Sequence, residues 1–316
     1  MLISIAPMMD WTDRHCRYLH RLLSKHAVLY TEMITAKALI FGASERLLIY
    51  NPQEHPVVLQ IGGSDSAEMA RAVKIAEPYQ YDEYNINVGC PSDRVLDGAF
   101  GACLMAKPAV VAACVAAMKA ETNRPVTVKT RLGIDDLDND THLHHFVATV
   151  AAAGCAHFII HARKAWLNGL SPKENREIPP LQYERVYALK AAFPKLKITL
   201  NGGVTDWAQT KQHLMFCDGV MVGRAAYQKP ALLREIDNLF FGDTTPPRPL
   251  FESVLQYKQY VDTQLVLGVP LHILTRPLLG LYESCTGARA WRRILTEEAR
   301  GKTSSEVLLK ALEAVA

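Results

Sequence analysis

Eight short runs rich in β-branched and aromatic residues recur along the chain, each followed by a helix-forming stretch: LISIAP (2–7), AVLYTEM (27–33), PVVLQIGG (56–63), DEYNINVG (82–89), PVTVKTR (125–131), AHFIIHAR (156–163), KITLNGG (197–203) and DGVMVGR (218–224). The segments between them, such as SAEMARAVKIAEP and PAVVAACVAAMKAET, are amphipathic or alanine-rich. Strand alternating with helix eight times predicts an α/β chain folded as a (β/α)8 TIM barrel, here over residues 1–242. The competing architecture is an open doubly wound sheet. Its usual nucleotide signature is missing, because no Gly-x-Gly-x-x-Gly follows the first run.

Around FFGDTTPPRPL (240–250) the alternation stops at a proline-rich linker, and only helical periodicity follows. Phe251, Val254, Leu255, Val261 and Leu265 are expected along one apolar stripe, and SSEVLLKALEAV is expected to open with serine caps. Residues 249–316 are therefore expected to form a small all-α helical domain.

Composition sets bounds on partners and compartment. A net charge of +3 says little, because a binding face of one sign can hide in the total. The seven cysteines are scattered and never spaced Cys-x-x-Cys, which argues against a disulfide framework, a zinc site or an iron–sulfur cluster and for a reducing cytosol. No window reaches the roughly 18 apolar residues of a membrane helix, and Met1 to Pro7 carries no basic leader. A cytoplasmic monomer without metal or membrane attachment is expected.

In a (β/α)8 barrel chemistry sits at the C-terminal ends of the strands. Those ends carry Pro7, Met8 and Met9 after the first run, Gln60 after the third, and Asn85, Asn87 and Cys90 after the fourth. Lys129 and Arg131 follow the fifth, His161 and Arg163 the sixth, Asn201, Gly202 and Gly203 the seventh, and Gly223 and Arg224 the eighth. Singly, Gln60 or Asn201 reads as a strand-end hydrogen-bonding group, and His161 equally as a satisfied histidine or as a ligand. Lys129 is harder to dismiss, since an inward lysine flanked by Val126 and Val128 needs an anion or an electron-rich partner to stay charged.

The two glycine-bearing turns, NGGV and VGRA, expose backbone N–H groups where barrels commonly hold a phosphate, with Arg224 as a charged clamp. Lys129, His161 and Gln60 can then meet the polar edge of a flat heteroaromatic, which is the layout of a flavin mononucleotide (FMN) site. Cys90, between Gly89 and Pro91, sits displayed rather than packed. A free thiol titrates near pH ~8.5, so it keeps its proton at neutral pH and can act as a general acid. Cys114 and Cys155, in alanine-rich surroundings, fit the inert buried thiol far better.

With APMM, QIGG, NINVGCPS, VKTRLG, HAR, NGGV and VGR in this order, the sequence closely resembles the tRNA-dihydrouridine synthases over essentially its whole length. The loop GLSPKENREIPPL (169–181) resembles the bacterial DusA-type subfamily, which modifies uridines 20 and 20a of the tRNA D-loop. The resemblance implies FMN-dependent reduction of the uracil C5–C6 bond, with NADPH first reducing the flavin. Hydride then passes from flavin N5 to C6, and Cys90 protonates C5 from the opposite face. It also implies that Pro7, Met8, Met9, Gln60, Lys129, His161, Asn201, Gly202, Gly203, Gly223 and Arg224 bind FMN. Asn87 would touch the flipped uridine and Arg131 help hold it.

One feature supports the RNA substrate without the resemblance. In GARAWRRILTEEAR, Arg289, Arg292 and Arg293 fall on one helix face, with Trp291, Ile294 and Leu295 opposite, as suits a phosphate-contacting surface. The alternative is a merely solvated face, since Glu297 and Glu298 follow. Lys173 and Arg176, which match tRNA-contacting positions of the subfamily, would be the second basic contact. Three rivals remain: a flavin barrel acting on a free pyrimidine, as dihydroorotate dehydrogenases do; a Schiff-base aldolase using Lys129; and a tRNA-binding protein without catalysis.

Overall fold

The computed structural model describes residues 1–92 and 98–315. Among the described residues nine parallel strands form one sheet: β1 (Leu2–Ile5), β2 (Leu29–Tyr30), β3 (Ile34–Thr35), β4 (Val57–Gly62), β5 (Glu83–Val88), β6 (Val126–Arg131), β7 (His157–His161), β8 (Lys197–Asn201) and β9 (Gly219–Val222). They follow the order β1-β9-β8-β7-β6-β5-β4-β2, with β3 also on β4. The N–H of Val28 donates to Ile3 O (3.0 Å) and that of Ile5 to Val28 O (2.9 Å), which brings β1 to the β2 side and closes a (β/α)8 barrel.

The second run is not one strand. It divides into β2 and β3, and between them Thr31 turns its hydroxyl to accept the Gln60 N–H at 3.0 Å, where a continuous strand would offer a backbone carbonyl. Side chains that alternate inward fill the barrel, with Ala6, Tyr30, Val58, Ile159 and Met221 packed together and Met8 and Val28 against them. Helices between the strands start on polar caps. Asp65, Asn139 and Asp206 accept the N–H of Glu68, His142 and Gln209, starting the helices Ser66–Ala76, Asp140–Ala152 and Trp207–His213.

The chain divides into two compact units. The barrel unit comprises residues 1–8, 28–50 and 55–223, and the second comprises 9–27, 51–54 and 224–316. Within the second, the buried Arg17 of helix Arg14–Leu23 donates through Nε to Glu54 Oε2 at 2.6 Å, and Arg21 holds the Glu54 carbonyl, so the short 51–54 segment is pinned to that helix. Tyr18 stacks on Tyr260 of helix Leu250–Val266 at 3.9 Å between ring centres.

That helix corrects two sequence expectations. Phe251 and Leu255 are exposed, and the buried face is Ser253, Val254, Tyr257, Tyr260 and Val261. The tyrosines carry it because each hydroxyl finds a partner, Tyr257 donating to Leu274 O and Tyr260 meeting His15 Nδ1. Nor does Ser305 cap the last helix, Glu306–Glu313: its hydroxyl goes to Asp262, while Ser304 Oγ accepts the Glu306 N–H.

Candidate active site

A polar set runs up the barrel strands to their C-terminal ends, and the parallel register places its members side by side. Gln60 of β4 is level with Asn85 of β5, Asn85 with Thr127 of β6, Asn87 with Lys129, and Arg131 with His161 of β7. The buried carboxamides of Asn87, Gln60 and Asn85 form a continuous chain. Asn87 Nδ2 donates to Gln60 Oε1 (2.9 Å), Gln60 Nε2 to Asn85 Oδ1 (2.8 Å), and Asn85 Nδ2 to Thr127 Oγ1 (2.9 Å). Thr127 donates in turn to Glu83 Oε1 at 2.6 Å, as does Tyr30 at 3.2 Å. Burial lifts the Glu83 carboxyl to about 7 despite these two donors.

Beyond β5 the backbone turns sharply on Asn87, whose Oδ1 accepts the N–H groups of Gly89 (3.1 Å) and Cys90 (3.0 Å). Cys90 is half-buried, with Sγ 3.4 Å from Ser92 Oγ, and its carbonyl accepts the Ala102 N–H. It is displayed, as the flanking Gly89 and Pro91 imply. Cys114 and Cys155 are buried in the apolar core, which pushes their thiols up to about 11 and about 12 and leaves them inert.

Lys129 and His161 carry unbalanced chemistry. Among the described residues Lys129 makes no ion pair, and it lies deep enough that desolvation, then repulsion from Arg131, pulls its ammonium down to about 7, against an opposing pull from Cys90. His161 has a buried Nδ1 with no hydrogen-bond partner. Burial, then the charges of Arg131, Lys129, Arg163 and Arg176, hold its imidazole well below the usual range, so it is neutral. A recessed cation without a counter-charge and an unsatisfied imidazole nitrogen both call for a ligand.

The β8 turn lies against that histidine. Gly202 (φ 113°) and Gly203 (φ 73°) take left-handed conformations, and a Cβ on Gly202 would come within 3.0 Å of the His161 ring, so only glycine fits. Asn201 Nδ2 donates to Met221 O, and Tyr183 OH to Gly202 O. Gly223 follows β9 beside Ala6, whose N–H donates to Val222 O, so Pro7 and Met8 share that end of the barrel.

Arg131 is buried and already engaged. Its Nε donates to Gly89 O (2.8 Å) and its Nη1 to Lys164 O and Asn175 O (3.0 Å each), tying the Cys90 turn to the long loop after β7. That loop is organised by the fully buried Asn175, which bonds the Trp166 N–H and O and the Leu170 O. Lys173 and Arg176 stand exposed on it. Met9 and Arg224 belong to the second unit, Met9 exposed and Arg224 opening the short helix Arg224–Gln228.

In that same unit Arg289, Arg292 and Arg293 are exposed, while Trp291, Ile294 and Leu295 are buried, with Trp291 Nε1 bonded to Leu278 O at 2.8 Å. The two faces fall as the sequence spacing predicts. Sequence reasoning passed over Glu83, Thr127 and Asn175. For Glu83 the signal was there, since the two-residue period that turns Asn85 and Asn87 inward extends back to it.

Comparison with known proteins places this arrangement among relatives. The family model described as dihydrouridine synthase (Dus) matches residues 4–316. The tRNA-dihydrouridine(20/20a) synthase of Pasteurella multocida (strain Pm70) is 55% identical over 99% of this chain and 96% of its own. Those of Vibrio cholerae (55%; 94% of this chain, 91% of its own) and Salmonella typhi (54%; 99% and 95%) are similarly close. Among solved structures, a 2-naphthoyl-CoA reductase in complex with 2-naphthoyl-CoA superposes with a TM-score of 0.59 at 11% identity, over 75% of this chain and 50% of that one, a likeness of fold alone.

Proposed function

This chain belongs to the dihydrouridine synthase family, and from that premise we propose that it reduces the C5–C6 bond of uridines 20 and 20a in the tRNA D-loop, with FMN as its flavin and NADPH as reductant. Membership makes it an oxidoreductase. The observation that carries the reading is the pairing of the displayed Cys90 thiol with the uncompensated Lys129 and the unsatisfied His161 Nδ1.

These residues fit FMN. Lys129 supplies a cation for the electron-rich edge of the ring, and His161 Nδ1 and Gln60 supply polar contacts. The left-handed turn of Gly202 and Gly203, with Asn201 and Gly223, offers backbone N–H groups to the phosphate. Pro7, Met8, Met9 and Arg224 complete the proposed set. When bound and reduced by NADPH, FMN would supply the hydride. Cys90 Sγ holds the proton that completes the reduction at C5, and Asn87 meets the base through its remaining N–H.

The target uridine must leave its stack to reach the end of a barrel, so base extrusion belongs to the mechanism. Arg289 and Arg292 on the helical part, residues 249–316, and Lys173 and Arg176 on the β7 loop are the proposed phosphate contacts. The exposed arginine face over a buried tryptophan supports that assignment. No described helix is long and apolar enough to cross a membrane, which is compatible with an enzyme acting on tRNA in the cytoplasm, as a monomer.

The test is anaerobic. The flavin-loaded protein is reduced with NADPH and mixed with unmodified tRNA, and dihydrouridine is mapped by position. Flavin reoxidation with product at position 20 or 20a is expected. A reduced flavin that ignores tRNA would overturn the substrate, and a protein that cannot be loaded with FMN would overturn the cofactor.

A further inference from the structure

We propose that Glu83 and Thr127, at the floor of the barrel, are positioning residues that fix the orientation of the Gln60 and Asn87 carboxamides and of the Cys90 turn through a one-way chain of hydrogen bonds. The proposal rests on the reading of those carboxamides as the groups that face flavin and uridine.

A carboxamide can sit in either of two orientations with almost the same shape, and its hydrogen bonds decide between them. Here both ends of the chain decide the same way. At the top, the backbone N–H groups of Gly89 and Cys90 can only donate, so Asn87 must turn Oδ1 towards them and Nδ2 towards Gln60. Gln60 must then accept through Oε1 and donate through Nε2, and Asn85 must do likewise. At the bottom, Thr127 gives its proton to Glu83 Oε1 and keeps lone pairs for Asn85 Nδ2.

Glu83 is placed to hold that direction. Its Oε1 accepts from both Thr127 and Tyr30, and its Oε2 lies 4.0 Å from His157 Nδ1. A proton carried on Oε2 leaves Oε1 an acceptor, so the polarity of the chain survives protonation. His157 in turn is bonded through Nε2 to Thr199 Oγ1 at 2.8 Å, which anchors the floor on the far side.

The polarity has a chemical consequence at the mouth. Asn87 Oδ1 is used twice by backbone N–H groups, so the side chain retains only an N–H to offer. It can recognise a carbonyl oxygen and must reject an amino group. If Thr127 loses its hydroxyl, Asn85 Nδ2 loses its acceptor in a buried setting. Relief by flipping Asn85 sets donor against donor at Gln60, and the fault climbs to the Cys90 turn.

The test uses full-length protein with Thr127→Val, which keeps the shape and removes the hydroxyl, and Thr127→Ser, which keeps the hydroxyl. FMN affinity is read by fluorescence quenching, and the turn by the rate at which iodoacetamide alkylates Cys90, followed on its own peptide by mass spectrometry. Thr127→Val is expected to weaken FMN binding about tenfold, about 1.4 kcal/mol, and to speed alkylation, with Thr127→Ser within about twofold of the parent. A valine variant matching the parent in both readouts, or a serine variant as impaired as the valine one, overturns the proposal.

Should the valine variant not fold, Glu83→Gln decides. It keeps an acceptor oxygen for Thr127 and Tyr30 and is expected within about twofold of the parent, whereas a tenfold loss would show that charge rather than direction matters. A parent protein that binds no FMN, yet whose Cys90 responds to Thr127→Val, would fault the reading of the site and leave the chain of hydrogen bonds standing. A parent that binds FMN and a valine variant that is unresponsive faults the chain.

Discussion

Flavin binding should draw a proton onto Lys129. In the free protein desolvation and Arg131 bring its ammonium down to about 7, so at pH 8 only about one molecule in ten carries the charge. An electron-rich flavin edge at the proposed site would replace the missing counter-charge and restore the lysine towards its ordinary value near ~10.4. Binding at pH 8 should therefore take up about 0.9 proton, against about a quarter of a proton at pH 6.5, where most of the lysine is already charged. The sign follows: the site loses affinity as pH rises above 7, by roughly eightfold between pH 6.5 and pH 8. Calorimetric titration in buffers of different ionisation enthalpy measures the uptake directly. Lys129→Met is the control that removes contributions from the FMN phosphate, whose second ionisation lies near ~6 and is complete at pH 8. Saturable binding at pH 8 with no dependence on buffer, or an unchanged uptake in Lys129→Met, would refute the reasoning.

The proposed roles of Cys90, Arg224 and the arginine face each carry a separate consequence. Cys90→Ala should retain FMN and tRNA while turnover falls by about 100- to 10,000-fold, the usual worth of a general acid; single-turnover reoxidation at the parental rate would remove the thiol from the chemistry. Arg224→Ala should weaken FMN binding by about 10- to 100-fold through loss of a charged contact to phosphate, and unchanged flavin content after dialysis would count against that contact. Replacing Arg289 and Arg292 together by alanine should reduce the slope of log affinity for tRNA against log salt by about 1.5; an unaltered slope would return those arginines to a merely solvated face.

The barrel was legible because a parallel strand writes itself as a short β-branched run and each run here is followed by a helix. What the pattern could not convey is where a strand hands its hydrogen bonds to a side chain. AVLYTEM is as regular as its neighbours, yet Thr31 takes the Gln60 N–H with its hydroxyl and the run splits into β2 and β3. The buried face of helix Leu250–Val266 was misjudged for a related reason. Periodicity ranks Phe251 and Leu255 above tyrosines, while Tyr257 and Tyr260 can be buried because Tyr257 donates to Leu274 O and the Tyr260 hydroxyl pairs with His15 Nδ1.

At the candidate active site the sequence exposed the groups proposed to meet a ligand and concealed those that hold them. Cys90 and Lys129 break the rules of their surroundings, a thiol beside glycine and proline and a cation in a valine strand, and such breaks are visible in one dimension. Glu83, Thr127 and Asn175 break no local rule. Glu83 reads as an ordinary charged residue at the start of a strand, and Thr127 as a strand former. Only the parallel pairing of β5 with β6 brings Glu83 beneath Thr127, so that a hydroxyl proton can be committed downwards and three carboxamides aligned above it. The compact units follow the same logic. Residues 51–54 lie between two barrel segments in sequence, and it is the buried Arg17–Glu54 pair that ties them to a helix far upstream. Supporting residues are thus chosen by what the fold places next to them, and substitutions at Glu83 or Thr127 separate a site that is merely present from one that is held in a single orientation.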